Sequence, residues 1–456
     1  MTDSLYRWSC AAVNPLLTDA ALLAGMLRFE IALARAQGEL GMIPHDAASA
    51  IARLARDFAP NPAASAREAA LAGSPAIAFV KALTGHVAAY DAAAAAYVHF
   101  GATSQDVIDT ALVLCLKQAV SAIDGALRRA QSAATSLTSR HADTAVLART
   151  LMQPAGVTTI GFKTGQWTLS LLHARTRLAR SAKEALAVSL GGAIGTLAAY
   201  GERGDALRAV LARELALLDP GADWHSRRET LTGLASDAGV AAGVMSKIAR
   251  DLSLMMQAEV GEAQEPAAEG RGGSTAMPHK RNPVLCLRVL ACAQPAPATV
   301  SSLLAGMAQE HERGLGNWQA ELGQYQSLFE GVHGAAHALA ELLEGVRFDA
   351  ARCRANIEAT GGAIFSEALA ALLQPWLGRE AAHRRVADLC VEAAAGGLTL
   401  GELAARQLPA EAGLEVNTEQ IARVFDIDRA AECAGRQARA LLATGAFCAG
   451  DPGTVN

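Results

Sequence analysis

The stretch Val113-Leu-Cys-Leu-Lys-Gln-Ala-Val-Ser-Ala-Ile-Asp-Gly-Ala-Leu127 decides the fold class. Its apolar residues Val113, Leu116, Val120, Ile123 and Leu127 recur in steps of three and four, the period of one face of an α-helix. Val240, Val244, Ile248, Leu252 and Met255 repeat the pattern. A third run starts near Val284 and carries Leu287, Val289 and Leu290 towards Leu303 and Leu304. Alanine fills much of what lies between; it has high helix propensity and lets helix axes approach closely. Alternating strand patterns are scarce, and the Asp124-Gly125 pair sits inside a helical run, not between β-branched strands. The expectation is an all-α chain in which any sheet is small and peripheral.

Composition agrees. Of 456 residues, 51% are hydrophobic but only 4% aromatic, which excludes a disordered chain and favours Ala- and Leu-rich helices over an aromatic-rich β-sandwich. Lys+Arg 40 against Asp+Glu 45 gives a net charge of −5, so general affinity for nucleic acid or an anionic membrane is not expected. An anionic substrate then needs a local basic pocket. The eight cysteines form no Cys-x-x-Cys pair and read as buried free thiols, not a zinc or disulfide framework. Residues 1–15 lack the pattern of a signal peptide, and no stretch of about 18 apolar residues escapes a polar break, so no membrane span is expected. With a mean hydropathy of +0.19, the chain reads as a soluble cytoplasmic oligomer.

Three segments are distinguishable. Residues 1–110 hold short helices broken by Pro44, Pro60, Pro62 and Pro75; residues 111–345 hold the longest periodic runs and suggest a helix bundle; residues 346–456 return to short helices, with Gly361-Gly362 and Gly396-Gly397 as breaks. The tail from Gly450 reads as frayed.

Chemistry concentrates between the helical runs. Glu269-Gly-Arg-Gly-Gly-Ser-Thr-Ala-Met-Pro-His-Lys-Arg-Asn-Pro283 is loosened at one end by Gly270, Gly272 and Gly273 and stiffened at the other by Pro278 and Pro283. Flexible glycine beside a hydroxyl, followed by Lys280, Arg281 and Asn282, suits a loop that closes over an anion. The order is not that of a Walker loop, and an exposed polar connection is the plain alternative. His99-Phe-Gly-Ala-Thr-Ser-Gln-Asp-Val-Ile-Asp-Thr110 puts Thr103 and Ser104 at the start of the first long helix, where free N–H groups favour a carboxylate. Ordinary capping by Thr103 with Asp106 competes with that reading. In Arg149-Thr-Leu-Met-Gln-Pro154, Thr150 and Gln153 share a face if the segment is a helix start ended by Pro154. Gln309-Glu-His-Glu-Arg-Gly-Leu-Gly-Asn-Trp318 reads as a solvated charged face in a helical region. His333 and His337 are four apart without a His-Glu-x-x-His pattern, so no metal is expected; no cofactor motif is present either.

Gly273-Ser-Thr-Ala-Met-Pro-His-Lys-Arg-Asn-Pro283 resembles the signature loop of the fumarase/aspartase superfamily. The Thr103-Ser-Gln-Asp106 and Arg149-Thr-x-x-Gln-Pro154 blocks resemble its two other active-site regions in the same order, and Gly361-Gly-Ala-Ile-Phe-Ser-Glu367 resembles its C-terminal domain. Glu265-Pro-Ala-Ala-Glu-Gly-Arg-Gly-Gly-Ser-Thr275 and the 309–318 block are most similar to its lactonising branch.

The resemblance implies a three-domain all-α fold and a homotetramer with a central multi-helix core. Each active site would be shared by three subunits, with no cofactor, and the substrate would be a small tricarboxylate. It makes Ser274 the residue that exchanges a carbon-bound proton. Lys280 and Asn282 would hold the adjacent carboxylate. Thr103, Ser104, Thr150, Gln153 and Arg313 would bind the remaining charge. Arg271, His279 and Arg281 would contribute field, and His99 and His311 would orient neighbours. The family's second region usually reads Thr-His-x-Gln-Pro, and the His position is Leu151 here. Relatives that expel an amine or water need that His at the heteroatom. A lactonising enzyme does not, because its nucleophile is the substrate's own ionised carboxylate. A C–N lyase of the adenylosuccinate type and a non-catalytic helical assembly are the alternatives.

Overall fold

The computed structural model describes residues 16–443 apart from Thr275 and Pro278. The segment 1–15, the tail expected to fray, and Cys10 and Cys448 lie outside the described residues.

Three long helices run parallel. They are Ser104–Arg140, Glu229–Met255 and Asn317–Gly345. Their starts are tied together by Arg228, whose guanidinium pairs with Asp109 at 2.7 Å and with Glu321 at 2.5 Å. Further along, Arg129 pairs with Glu344 at 2.6 Å. The Ile160–Ala185 helix returns antiparallel: Trp167 near its start donates to Asp251 at 2.9 Å, and Arg177 near its end donates to Asp237 at 2.9 Å. Val284–Ala293 and Ala296–Ala305, bent at Gln294-Pro295, together form the second descending member. The periodic apolar positions of the first run face inward as expected, with Val113, Leu116, Val120, Ile123 and Leu127 all buried in the main core, but Val240 of the second run and Leu287 and Leu304 of the third are exposed.

Val284–Ala305 is long and apolar enough by composition alone to cross a membrane. In the fold it is a bent pair of bundle helices, about one third buried within the chain. Its one charge, Arg288, and the break at Gln294-Pro295 are the polar interruptions on which the expectation rested.

The Ser104–Arg140 helix continues without a break through position 110. Its first turns also pack on a second core made by Asp19–Glu39, the short helices up to residue 95 and Gly204–Leu215. Pro62 and Pro75 open helices at the first position, where a missing N–H costs nothing. A third core gathers Leu369, Leu373, Val386, Leu389, Leu400 and Leu408. Gly361 and Gly362 take positive φ before it, and Gly397 caps the Arg379–Gly396 helix in the left-handed region.

Strand content among the described residues is confined to two antiparallel pairs, Ala145–Thr150 with Gln153–Thr159 and Ala263–Gln264 with Arg347–Phe348. None of the six cysteines described forms a disulfide, and four of them are buried.

Candidate active site

The signature loop leaves one end of the bundle. Its base is closed by the Asn282 N–H, which donates to the Gly272 carbonyl at 2.9 Å, while the Asn282 amide reaches Gly273 O at 3.4 Å. Gly272 sits at φ +75°, and a Cβ there would lie 2.8 Å from Asn282 O. Beyond the loop, Glu265 accepts from the Leu285 and Cys286 N–H groups at 2.9 and 2.7 Å and so caps the next helix. Arg271 is held by Glu341. His279, Lys280 and Arg281 are exposed. Ser274 Oγ accepts from the Met277 N–H at 3.2 Å and, more weakly, from the Ala276 N–H at 3.4 Å. Two backbone dipoles aimed at a serine oxygen lower the cost of negative charge on it. A cavity of about 530 Å³ opens at the loop base between Arg271, Arg281, Asn282, Arg347 and Glu265.

Thr150 and Gln153 are neighbours, but not on a helix. They are a cross-strand pair closing a β-hairpin around Leu151 and Met152, which both have positive φ, at 48° and 68°. This corrects the expected helix start. A two-residue turn with this pattern, type I′, needs two left-handed residues, and Asn-Gly is the usual signal for it. Leu-Met supplies neither residue, so the turn is strained and must be held from outside. Arg149 does so through both guanidinium N–H groups, at 3.1 and 2.8 Å to the fully buried Glu262. Ile357 and Ala431 pack under Ala145 and Leu147. Pro154 sits beside a register shift, where its missing N–H interrupts no regular ladder. Leu151 is 96% exposed at the tip.

The remaining candidates lie at the opposite end of the bundle. Thr103 caps the Ser104–Arg140 helix, and its N–H donates to Asp106 at 2.9 Å. The capping reading is therefore correct as far as it goes. Asp106 does more. It is fully buried and also accepts from Gly191 N–H at 2.7 Å, Gly192 N–H at 3.1 Å and His225 Nε2 at 2.8 Å. Arg313 donates to the Ala193 carbonyl of the same glycine turn at 3.1 Å. Most of the 309–318 block is a loop between helices, not a helical face, because Gly314 and Gly316 interrupt it, and only Asn317 and Trp318 belong to the helix that follows. It is not wholly solvated either: Gln309 donates to Glu321 at 2.8 Å, and the buried Trp318 donates to Asp109 at 3.0 Å. His311 is exposed at φ +50°. His99, at φ +59°, places Nδ1 2.6 Å from the buried Glu30. Burial alone would push the His99 imidazole down, but the Glu30 charge and hydrogen bond hold it above its ordinary value.

Thr103, Ser104 and Arg313 thus belong to one end, while Ser274, Lys280, Asn282, Thr150 and Gln153 belong to the other. The Glu229–Met255 helix measures the gap: Arg228 before it joins Asp109, and Glu262 after it joins Arg149. Its 27 residues span about 40 Å. One chain cannot close both groups on one small molecule. Sequence reasoning passed over the 189–195 glycine turn, Asp223, His225 and Arg149's partner Glu262. The Gly191-Gly-Ala-Ile-Gly195 run between two helical patterns was the available signal for the first of these.

A bundle of alternating long helices with a serine-bearing loop at one end and a capped Thr-Ser start at the other defines a lyase of the fumarase/aspartase type. Residues 13–294 match the family model described as lyase, and the chain belongs to that family. The 3-carboxy-cis,cis-muconate cycloisomerase of Bradyrhizobium diazoefficiens is 43% identical over 418 residues, 92% of each chain. The nitrosuccinate lyase of Streptomyces davaonensis is 41% identical over 399 residues, 86% of this chain and 84% of that one. The crystal structure of the 3-carboxy-cis,cis-muconate lactonizing enzyme from Pseudomonas putida superposes with a TM-score of 0.87 at 36% identity, covering 94% of this chain and 95% of that one.

Proposed function

We propose that this chain is a 3-carboxy-cis,cis-muconate cycloisomerase, interconverting that tricarboxylate and 4-carboxymuconolactone in protocatechuate (β-ketoadipate) catabolism. The observation that carries the reading is Leu151. The hairpin tip presents an apolar side chain where relatives that expel an amine or water place a histidine, so no group there serves a heteroatom proton. Lactonisation needs none. A substrate carboxylate oxygen bonds to a diene carbon while Ser274 delivers its hydroxyl proton to the neighbouring carbon. In reverse, the Ser274 alkoxide takes the carbon proton, the C–O bond breaks and a carboxylate leaves unprotonated. Lys280 and Asn282 hold the carboxylate whose charge grows as the proton departs. Thr103, Ser104, Thr150, Gln153 and Arg313 receive the rest of the trianion.

Because the two groups lie about 40 Å apart in one chain, the proposal places them in one site only between subunits of a homotetramer. Exposed Leu151 and Met152 at the hairpin tip, and Val240, Leu287 and Leu304 along the bundle, support such contacts. The three-part division at residues 110 and 345 and a cytoplasmic location belong to the same proposal.

Loss of the conjugated-diene absorbance of 3-carboxy-cis,cis-muconate on adding purified protein without metal tests the reading. An unchanged spectrum at high enzyme concentration rejects it. A second reading, a C–N lyase, is favoured by the nitrosuccinate lyase at 41% identity. Nitrite release from nitrosuccinate, or fumarate release from adenylosuccinate, without turnover of the diene, selects that reading instead. Turnover of any of these substrates excludes a non-catalytic assembly.

A further inference from the structure

The Thr103 end of the bundle holds a charge cluster that the proposed reaction leaves unused. His225 and Asp106 are both fully buried. One face of the imidazole is taken by Asp106, which accepts from Nε2 at 2.8 Å. On the other face, Nδ1 lies 3.1 Å from Asp223 Oδ1, an ion-pair distance without hydrogen-bond geometry, and neither of these two buried atoms has a hydrogen-bond partner. A neutral ring carries one N–H and satisfies one of these carboxylates; it would turn a lone pair towards the other. Only the imidazolium matches both. The two carboxylates grip the same backbone from opposite sides. Asp106 accepts from the N–H groups of Gly191, Gly192 and Thr103. Asp223 fills the hollow of the turn so closely that a Cβ on Gly191 would lie 2.3 Å from its Oδ1, and one on Gly195 2.8 Å from its Oδ2. Arg313 is held by a carbonyl of that turn.

We infer that His225 is a positioning residue: its doubly protonated ring clamps Asp106 and Asp223 around the 191–195 turn and so sets where Thr103, Ser104 and Arg313 meet the substrate's carboxylates. The inference deepens the proposed function and rests on it for the identity of the carboxylates. Other charged or titratable groups around the clamp are Asp109 and Arg228, with Glu321 behind them, and, facing Asp106, His99 with Glu30 and the neutral phenol of Tyr200. Burial disfavours the imidazolium, but the hydrogen bond and charge of Asp106, then the charges of Asp223 and Asp109, outweigh it and raise the pKa. The clamp is therefore present below that raised value and opens as pH rises through it.

Steady-state kinetics of the full chain with 3-carboxy-cis,cis-muconate, from about pH 6 to about pH 9.5, test this through KM. In the wild type, KM should climb at alkaline pH while kcat changes by less than about threefold. Asp223→Asn keeps the shape but removes one of the charges that hold the proton, so the same climb should begin at lower pH. His225→Gln should raise KM about tenfold or more and abolish its pH dependence. An Asp223→Asn limb at the wild-type pH, or a His225→Gln enzyme that keeps the wild-type limb, overturns the inference, since a purely structural role would lower stability without moving a limb. If His225→Gln does not fold, Asp223→Asn alone decides. If the wild type leaves the muconate untouched, the functional reading has failed and the clamp is read from thermal midpoints. Stability that falls with pH at a lower pH in Asp223→Asn supports the clamp, and superimposable wild-type and variant profiles overturn it.

Discussion

Gly272→Ala isolates the contribution of loop geometry. The residue occupies φ +75°, and its added Cβ would meet the Asn282 carbonyl oxygen at 2.8 Å. The left-handed conformation costs a non-glycine residue roughly 1–2 kcal/mol. The contact adds to this, because its partner is backbone, and relief requires the two strands of the loop base to part. Parting them weakens the hydrogen bond from Asn282 N–H to Gly272 O, worth about 1 kcal/mol net. The closed base is thereby disfavoured by roughly 2–3 kcal/mol, which corresponds to about 30- to 150-fold in kcat/KM if the reaction requires it. Gly273 is the internal control: its φ is not in the left-handed region, and a Cβ there meets nothing within 4 Å. Gly273→Ala should stay within about threefold of wild type. Both variants should melt near the wild-type temperature, since the exposed loop lies outside the packed core. The diene assay reads the rates and circular dichroism reads the melts. Equal kcat/KM for the two variants would refute the assignment of the closed base to the active conformation.

Three further outcomes are expected. Ser274→Ala should lower kcat by about three orders of magnitude or more while the chain still folds and binds the tricarboxylate; near-normal turnover would remove Ser274 from the chemistry. Arg228→Met leaves Asp109 and Glu321 facing each other without their shared cation at a site sealed from solvent, and should cost about 3–5 kcal/mol, read as a lower denaturant midpoint. An unchanged midpoint would show that the buried network contributes nothing to stability. The pair of His99 with Glu30 should make stability depend on pH: its contribution is fully present below the unfolded imidazole's pKa of about 6.5 and is lost as pH rises through the higher folded value. Glu30→Gln should flatten that part of a plot of melting temperature against pH, and an unaltered slope would contradict the pairing.

The bundle was legible because helical period survives any rearrangement of neighbours: Val113 to Leu127 and Ile248 to Met255 need only one inward face each, whichever helix they meet, although Val240 at the start of the second run is exposed. The hairpin was not legible, for an instructive reason. Residues three apart are neighbours on a helix and also across a two-residue β-turn, so the spacing of Thr150 and Gln153 carried the proximity but not the element. What decided for strands was remote: Glu262, over a hundred positions away, pulls Arg149 down, and the last helix, Ile427–Ala443, packs against the strands through Ala431. The same limit hid His225, which has no motif around it and acquires its role only where Asp106 and Asp223 converge on it. The signature loop was legible because its chemistry is written in consecutive residues. The spatial division between the Thr103 end and the Ser274 end was not, because it depends on which helices run parallel. That parallel arrangement of three long helices holds the proposed serine and the proposed carboxylate-binding hydroxyls a helix length apart. A site that draws on both groups, as proposed above, is then one that only association of several copies of the chain completes.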